Sequence, residues 1–416
     1  MAITKVTTPV TGFESAVDIG LKIPVGTNSN VPTGAEGMIR NDTDENSGGS
    51  GSTTAITHYN GTDWKYFNST VSNGPLENFN TVLYTGNGST QTFSVSTVGF
   101  QPDLVWVKQR TGSNANHLVA DTVRGPWKII NPNLAFQTVD RTSVDKTITS
   151  FANGFTVKDT ANGDYECNGT NGGTYSGNGT YVAWCFKAGG ATVANGNGNI
   201  NSQVSVNNNL GFSIVSYTGV GGTGTKTIGH GLNAAPEMII VKSTNANDQW
   251  WVWHKDLTSI DYYLILSGIN PETYYANNEG LFGRTLPTST VFSVGYAPET
   301  NGSARQFISY CFTSKPGFSK VGYYTGNGNI NPENVGFEPA FVMIKKSTGS
   351  NASWAMFDNK RTTANPSTSA LYANESINEE DLQLYFEFTS TGFKNLQSSN
   401  TLNTSGSKYI YLAFAK

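Results

Sequence analysis

The sequence predicts an all-β protein: an N-terminal extended arm and a small β motif, followed by three tandem β-sandwich modules. The first observation behind this is a repeat. GFQPDLVWVKQR (99–110) returns as GLNAAPEMIIVKS (231–243) and again as GFEPAFVMIKKS (336–347). Each copy has a Gly, then a Pro (Pro102, Pro236, Pro339), then an apolar run ending in Lys (Lys108, Lys242, Lys345). Pro cannot donate to a sheet ladder, so it marks a strand's start, and the run after it reads as a buried strand. The second observation is the pattern between the repeats. Short apolar runs alternate with Gly, Asn, Ser and Thr, and no segment sustains a 3.6-residue period. The third is composition: 46 Gly in 416 residues, 13% charged and 12% aromatic. Such a chain is rich in polar turns, yet carries many rings that need a core.

Taken in order, residues 1–31 read as an extended arm with no period and no helix cap. Residues 32–75 form a small β-hairpin motif, with strands at Met38–Arg40, Ala55–Tyr59 and Trp64–Phe67 and a turn at Asn60-Gly61. Module 1 spans 76–190, a Gly/Asn linker 191–209, module 2 210–316 and module 3 317–416, the last expected to be distal. Each module opens with a Tyr-Thr-Gly turn (Tyr84, Tyr217 and Tyr324 lead) and closes with an aromatic strand: YVAWCFK (181–187), FISYCF (307–312) or YIYLAFAK (409–416). Thirteen residues past each Lys stand Asp121, Lys255 and Asp358. Val105, Ile239 and Val342 should be equivalent core residues. Glu375–Leu384 could hold a helical turn.

Several function classes find little support. A net charge of −4 gives no basic footprint for nucleic acid. There is no secretory leader pattern and no apolar run long enough to insert in a membrane. Cys185 and Cys311 sit in closing strands, where Cys reads as a small buried apolar residue, and Cys167 reads as a free loop thiol. His58, His117, His230 and His254 lack metal-ligand spacing, so no metal and no cofactor is expected. GVGGTGTKT (219–227) lacks the strand-loop-helix setting of a phosphate loop. Asp42, Asp44 and Asn46 begin a calcium-loop pattern that Ser47 and Thr53 break. Glu379, Glu380 and Asp381 read as a solvated face.

Two regions are candidates for binding. In DQWWVWHKD (248–256), Trp250 and Trp253 lie on opposite faces of one strand, and one face could stack on a sugar. In module 3, the loops 346–353 and 397–407 are rich in neutral hydrogen-bonding side chains, and Asn351, Asn400 and Asn403 are the expected contacts.

The pattern GAEGMIRxxTDxN followed by YNGTxWK (residues 34–65) resembles a β motif of the N-terminal parts of phage tail-fibre proteins. GFQPDLVWVKQR, TSFANGFTV and YVAWCFKAGG resemble a module of tail proteins from marine phages, cyanophages especially. The resemblance implies a virion fibre made in the host cytoplasm: a homotrimer that docks to other tail proteins by its N-terminus and adsorbs to a host receptor or glycan. It supplies no catalytic residues, so the expectation is a non-enzyme. A head or neck decoration fibre and a polysaccharide-degrading tailspike are the alternatives, the latter wanting paired carboxylates in a cleft.

Overall fold

The computed structural model describes residues 78–416 except 113, 144–145, 160–166, 170–178, 278 and 362–363, together with four strands nearer the N-terminus; for 380–385 it describes the backbone alone. The chain divides into two units, Met1–Ser72 and Asn73–Lys416. In the first, Val25–Gly26, Ile39–Asp42, Ala55–Tyr59 and Trp64–Tyr66 form one sheet in that order. Only the pairing of Val25–Gly26 with Ile39–Asp42 is parallel. The rest of the expected arm, the Asn60-Gly61 turn and the calcium-loop positions Asp44 and Asn46 lie outside the described residues.

In the second unit each module is built on one antiparallel sheet with the same strand order: first, closing, Pro-led, fourth. In module 1 these are Phe79–Thr85, Thr180–Phe186, Leu104–Thr111 and Leu118–Asp121. In module 2 they are Phe212–Thr218, Gln306–Phe312, Met238–Ser243 and Trp250–His254. In module 3 they are Ser319–Thr325, Lys408–Ala415, Pro339–Lys346 and Ala355–Asp358. Val105, Ile239 and Val342 do occupy one register, opposite Cys185, Cys311 and Ala413. The Gly that opens each Pro-led motif has a left-handed backbone, with φ of 95° at Gly99, 76° at Gly231 and 88° at Gly336, which a side chain would strain.

A second layer makes each module a sandwich. In module 1 the strands Lys146–Ser150, Phe155–Asp159 and Thr90–Phe93 cover the sheet, and Phe93 and Phe155 bury their rings against its Val105 face. In module 3 the sheet continues through Ser367–Tyr372, Glu380–Thr389, Gly392–Asn395 and Asn331–Asn334, bringing Phe386 to stack on Phe357 at 4.1 Å.

Three expectations change. The segment 191–209 is no linker: Val193–Asn195 and Ser202–Asn207 are strands that extend the sheet of module 2 beyond Phe212–Thr218. Its Ser202, Val204 and Ser205 are buried, a burial that the many Asn and Gly residues around them conceal. Glu375–Leu384 holds no helical turn, because Glu380–Thr389 is a strand. The described helices are the four-residue turns Val95–Val98 and Pro298–Asn301.

The third change is the largest. The modules do not form an extended string with module 3 at its tip; they close into a ring. Along each closing strand one side faces the module's own sandwich and the other faces the other modules. In module 1, Tyr181, Ala183 and Cys185 join the module core, while Val182, Trp184 and Phe186 join a central one. In module 3, Tyr409, Tyr411 and Ala413 turn to the module core, and Ile410, Leu412 and Phe414 to the centre. Phe186 and Phe312 both meet Phe414 there, at 5.3 and 6.1 Å between ring centroids. Each such ring contributes about 1.5–3 kcal/mol by leaving water. A strand buried on both faces is apolar at every position, which is why the closing strands show no alternation.

Candidate functional site

The three repeated lysines are fully buried, and each reaches across a seam of the ring. Lys108 Nζ donates to Ser376 O of module 3 at 3.1 Å and to Gln109 O at 2.9 Å. Lys242 Nζ donates to Asp248 O at 2.7 Å and, at 3.5 Å, to Ala135 O of module 1. Lys345 Nζ donates to Ile269 O of module 2 at 2.7 Å and to Ala352 O. The aromatic that opens or precedes each fourth strand repeats the pattern four residues upstream on the partner module. His117 Nε2 meets Tyr372 O at 2.9 Å, Trp250 Nε1 donates to Asn131 O at 3.0 Å, and Trp354 Nε1 donates to Ile265 O at 2.9 Å. Module 1 thus grips module 3, module 3 grips module 2, and module 2 grips module 1. Burial lowers the lysine pKa values from 10.5 to about 7 for Lys108, about 8 for Lys242 and about 7 for Lys345. A neutral amine has two N–H groups, matching the two carbonyls that each lysine meets.

The registered acidic position is also a seam contact. In the sheets, Leu104, Met238 and Phe341 pair with Asp121, His254 and Asp358. The module 2 equivalent is therefore His254, one residue before Lys255, because its fourth strand follows Lys242 after a loop one residue shorter. Asp121 Oδ2 lies 2.6 Å from Arg124 Nε and accepts from Tyr310 of module 2 at 2.8 Å. Asp358 Oδ2 lies 2.5 Å from Arg361 Nε and accepts from Trp184 of module 1. At the third seam the equivalents are His254, Leu257 and Leu412: carboxylate, guanidinium and donor are all replaced together. The two carboxylates are consumed by structure and do not pair in a cleft.

The Tyr-Thr-Gly turns have a shared cause. Tyr84, Tyr217 and Tyr324 donate their buried hydroxyls to Cys167 O, Thr300 O and Leu402 O. The next residue in each case is a buried Asn: Asn168, Asn301 or Asn403. Its side chain takes the backbone N–H of Asn87, Val220 or Asn327. The glycine is forced: a Cβ on Gly86, Gly219 or Gly326 would stand 2.4, 2.4 or 2.2 Å from a carbonyl oxygen. Cys167 is accordingly buried, and none of the three cysteines is in a disulfide.

The expected contact residues divide. Trp250 and Trp253 are 1% and 3% exposed, so neither face of that strand is a platform. Asn403 is buried and serves the turn just described. Asn351 and Asn400 are exposed, and the two loops do converge. Asn400 Nδ2 donates to Asn351 O at 2.7 Å, and Asn400 Oδ1 accepts from Lys346 Nζ at 2.8 Å and Ser350 Oγ at 2.7 Å. Glu379 is no solvated charge, since it bridges Arg110 and Arg361.

Sequence reasoning missed a groove of about 690 Å³ between modules 1 and 2. Thr138, Asn201, Gln203, Thr218, Asn245 and Gln306 line it, with Tyr217 and Phe307 beneath. The only sequence signal was negative: Gln306 stands where module 3 has Lys408 and module 1 has Thr180. Among the described residues no three His, Cys, Asp or Glu side chains gather as metal ligands, and no helix is long and apolar enough to cross a membrane.

No curated protein and no solved structure matches the chain. Residues 74–416 match the family described as "Domain of unknown function (DUF7483)", and that span holds the whole three-module ring, so the chain belongs to this family.

Proposed function

We propose that the chain is a non-catalytic component of a phage virion fibre. Its N-terminal region, 1–75, attaches to other virion proteins, and its ring meets a receptor or glycan on the host surface. The observation that carries this reading is how the ring spends its ionisable groups. The buried Lys, Asp and Arg side chains of the seams are bonded to each other and to backbone carbonyls, so they serve rigidity. The exposed loops instead offer neutral amides and hydroxyls, as at Asn351 and Asn400, and a rigid scaffold presenting such loops suits recognition. The three modules of one chain already fill the ring's centre. The homotrimer that the phage resemblance implies would therefore associate through residues 1–75 or the ring's outer face.

The test is made on particles. Antibody labelling of intact virions should locate the ring on the tail, and deletion of 1–75 should abolish incorporation. Purified wild-type protein should compete with particles for adsorption to host cells. Incorporation of the truncated chain, or adsorption unaffected by excess protein, would count against the proposal.

A further inference from the structure

The three seams of the ring repeat one contact, and one seam departs from it. Glu272 of module 2 and Glu379 of module 3 hold equivalent places: Glu272 N donates to Ser347 O at 2.8 Å, and Glu379 N donates to Arg110 O at 3.0 Å. Both carboxylates are ion-paired across their seams. Lys408 Nζ lies 3.5 Å from Glu272 and donates to Asp256 O at 2.7 Å, while Arg110 Nε lies 2.6 Å from Glu379. At the seam between modules 1 and 2, Thr138 N donates to Thr244 O at 3.0 Å in the same register. There Thr138 replaces the glutamate and Gln306 replaces Lys408. These two residues line the groove. The groove is thus the place where the bridge that closes the other seams has been taken out. The hydroxyl of Thr138 is shielded and has no hydrogen-bond partner among the described residues.

We propose that this seam is a binding groove for a neutral oligosaccharide, an inference that rests on the host-contact reading above. Its volume lies in the range of small-ligand sites. Its exposed side chains, Asn201, Gln203, Thr218, Asn245 and Gln306, each donate or accept hydrogen bonds without carrying charge. Asn245 is fixed, since its Oδ1 accepts from Gln306 N at 2.8 Å. The charges at the margin are balanced: Lys128 pairs in register with Asp140, and Arg124 is held by Asp121. A sugar chain presents hydroxyls in both roles along its length, and the exposed amides of Asn201, Gln203 and Gln306 match that demand. A peptide ligand would require pockets for alternate side chains.

The test restores the missing bridge. Thr138→Glu with Gln306→Lys copies the Glu272–Lys408 pair into the open seam. Purified full-length protein is applied to an array of neutral hexose and N-acetylhexosamine oligosaccharides, with peptide and sulfated-glycan arrays beside it. The wild type should bind neutral oligosaccharides, and the double variant should lose at least about tenfold in affinity while keeping its melting temperature. Gln203→Ala with Gln306→Ala should weaken binding too, which covers a misfolded first variant. Asn400→Ala should leave it unchanged. Equal binding by the bridged variant and wild type overturns the inference, as does binding confined to peptides or sulfated glycans, or none. Adsorption competition separates the two proposals. If the bridged variant still blocks adsorption as wild type does, the host-contact reading stands and the groove falls; if neither blocks it, the reading itself falls.

Discussion

The indole Nε1 of Trp184 donates to Asp358 Oδ2 at 3.0 Å, joining residues of modules 1 and 3 inside the protein. Asp358 also holds Arg361, whose side chain is 2% exposed. Removing the carboxylate leaves a buried guanidinium with Glu379 as its remaining ion partner. Asp358→Ala should lower stability by about 3–5 kcal/mol. Trp184→Phe, which loses the donor but keeps a ring, should cost about 1–3 kcal/mol. In the Asp358→Ala background the same Trp184 change should cost less, and urea denaturation of the four proteins measures that coupling. Additive costs would mean that the contact carries no energy.

The closed ring makes a second outcome specific. Removing module 3 would expose the central faces of Phe79, Phe186, Phe212 and Phe312, all of which pack in one cluster with Phe414. The second unit should therefore unfold in a single calorimetric transition, and a chain ending at Ser314 should bind an apolar dye and aggregate. Two or three separated transitions would show that the modules are independent.

Much of this was legible in the sequence, and the illegible part has a physical cause. The repeats disclosed the strand order's equivalent residues, so Val105, Ile239 and Val342 were found by register alone. Burial of the closing strands was legible from YVAWCFK, but a run apolar at every position does not say what covers its second face. That face turned out to meet the other modules. Nor could the lysines be assigned: a Lys at a strand's end reads as a solvated terminus unless a carbonyl from elsewhere in the chain receives it. Asn403 misled because Asn in a polar loop has the same local sequence whether it faces water or ties the turn. The groove was hidden for a related reason, since it depends on two substitutions in separate segments, at Thr138 and Gln306.

Asn403 and Asn400 now separate sharply. Asn403 is buried, and its side chain bonds Asn327 N, Asn331 Nδ2 and the carbonyls of Asn329 and Gln397. Asn403→Ala should cost about 1–3 kcal/mol by stranding these groups. Asn400→Ala, at an exposed position, should change stability by less than about 1 kcal/mol. Thermal melts of the two variants check this, and equal losses would contradict the assignment. Adsorption experiments at this surface should accordingly use Asn351 and Asn400 only.

The buried lysines predict how stability follows pH. Folded pKa values of about 7, 8 and 7 lie below the ordinary 10.5. Below them both folded and unfolded chains hold the protons, and the folded state bears the whole cost of burying the charge. Between about 7 and about 10.4 the unfolded chain binds more protons than the folded one, so stability rises with pH across that window. Burial likewise lowers the pKa of His117 and takes that of His254 to about 3, so stability is further lost as pH falls below about 6.5. The opposing groups include the Cys185 and Cys311 thiols and Tyr84, Tyr217, Tyr310 and Tyr324, all raised by burial. The unfolded thiols ionise near pH 8.5, which lessens the slope above about that value, and the unfolded phenols near pH 10, which reverses it. Stability should therefore climb by on the order of a few kcal/mol from pH 7 to a maximum near about pH 9–10. Denaturation midpoints at pH 6, 7, 8 and 9 test this. Lys108→Met should flatten the slope, because it removes one titrating group while keeping the side chain's length. A flat wild-type profile between pH 7 and 9 would mean that the lysines stay charged in the seams.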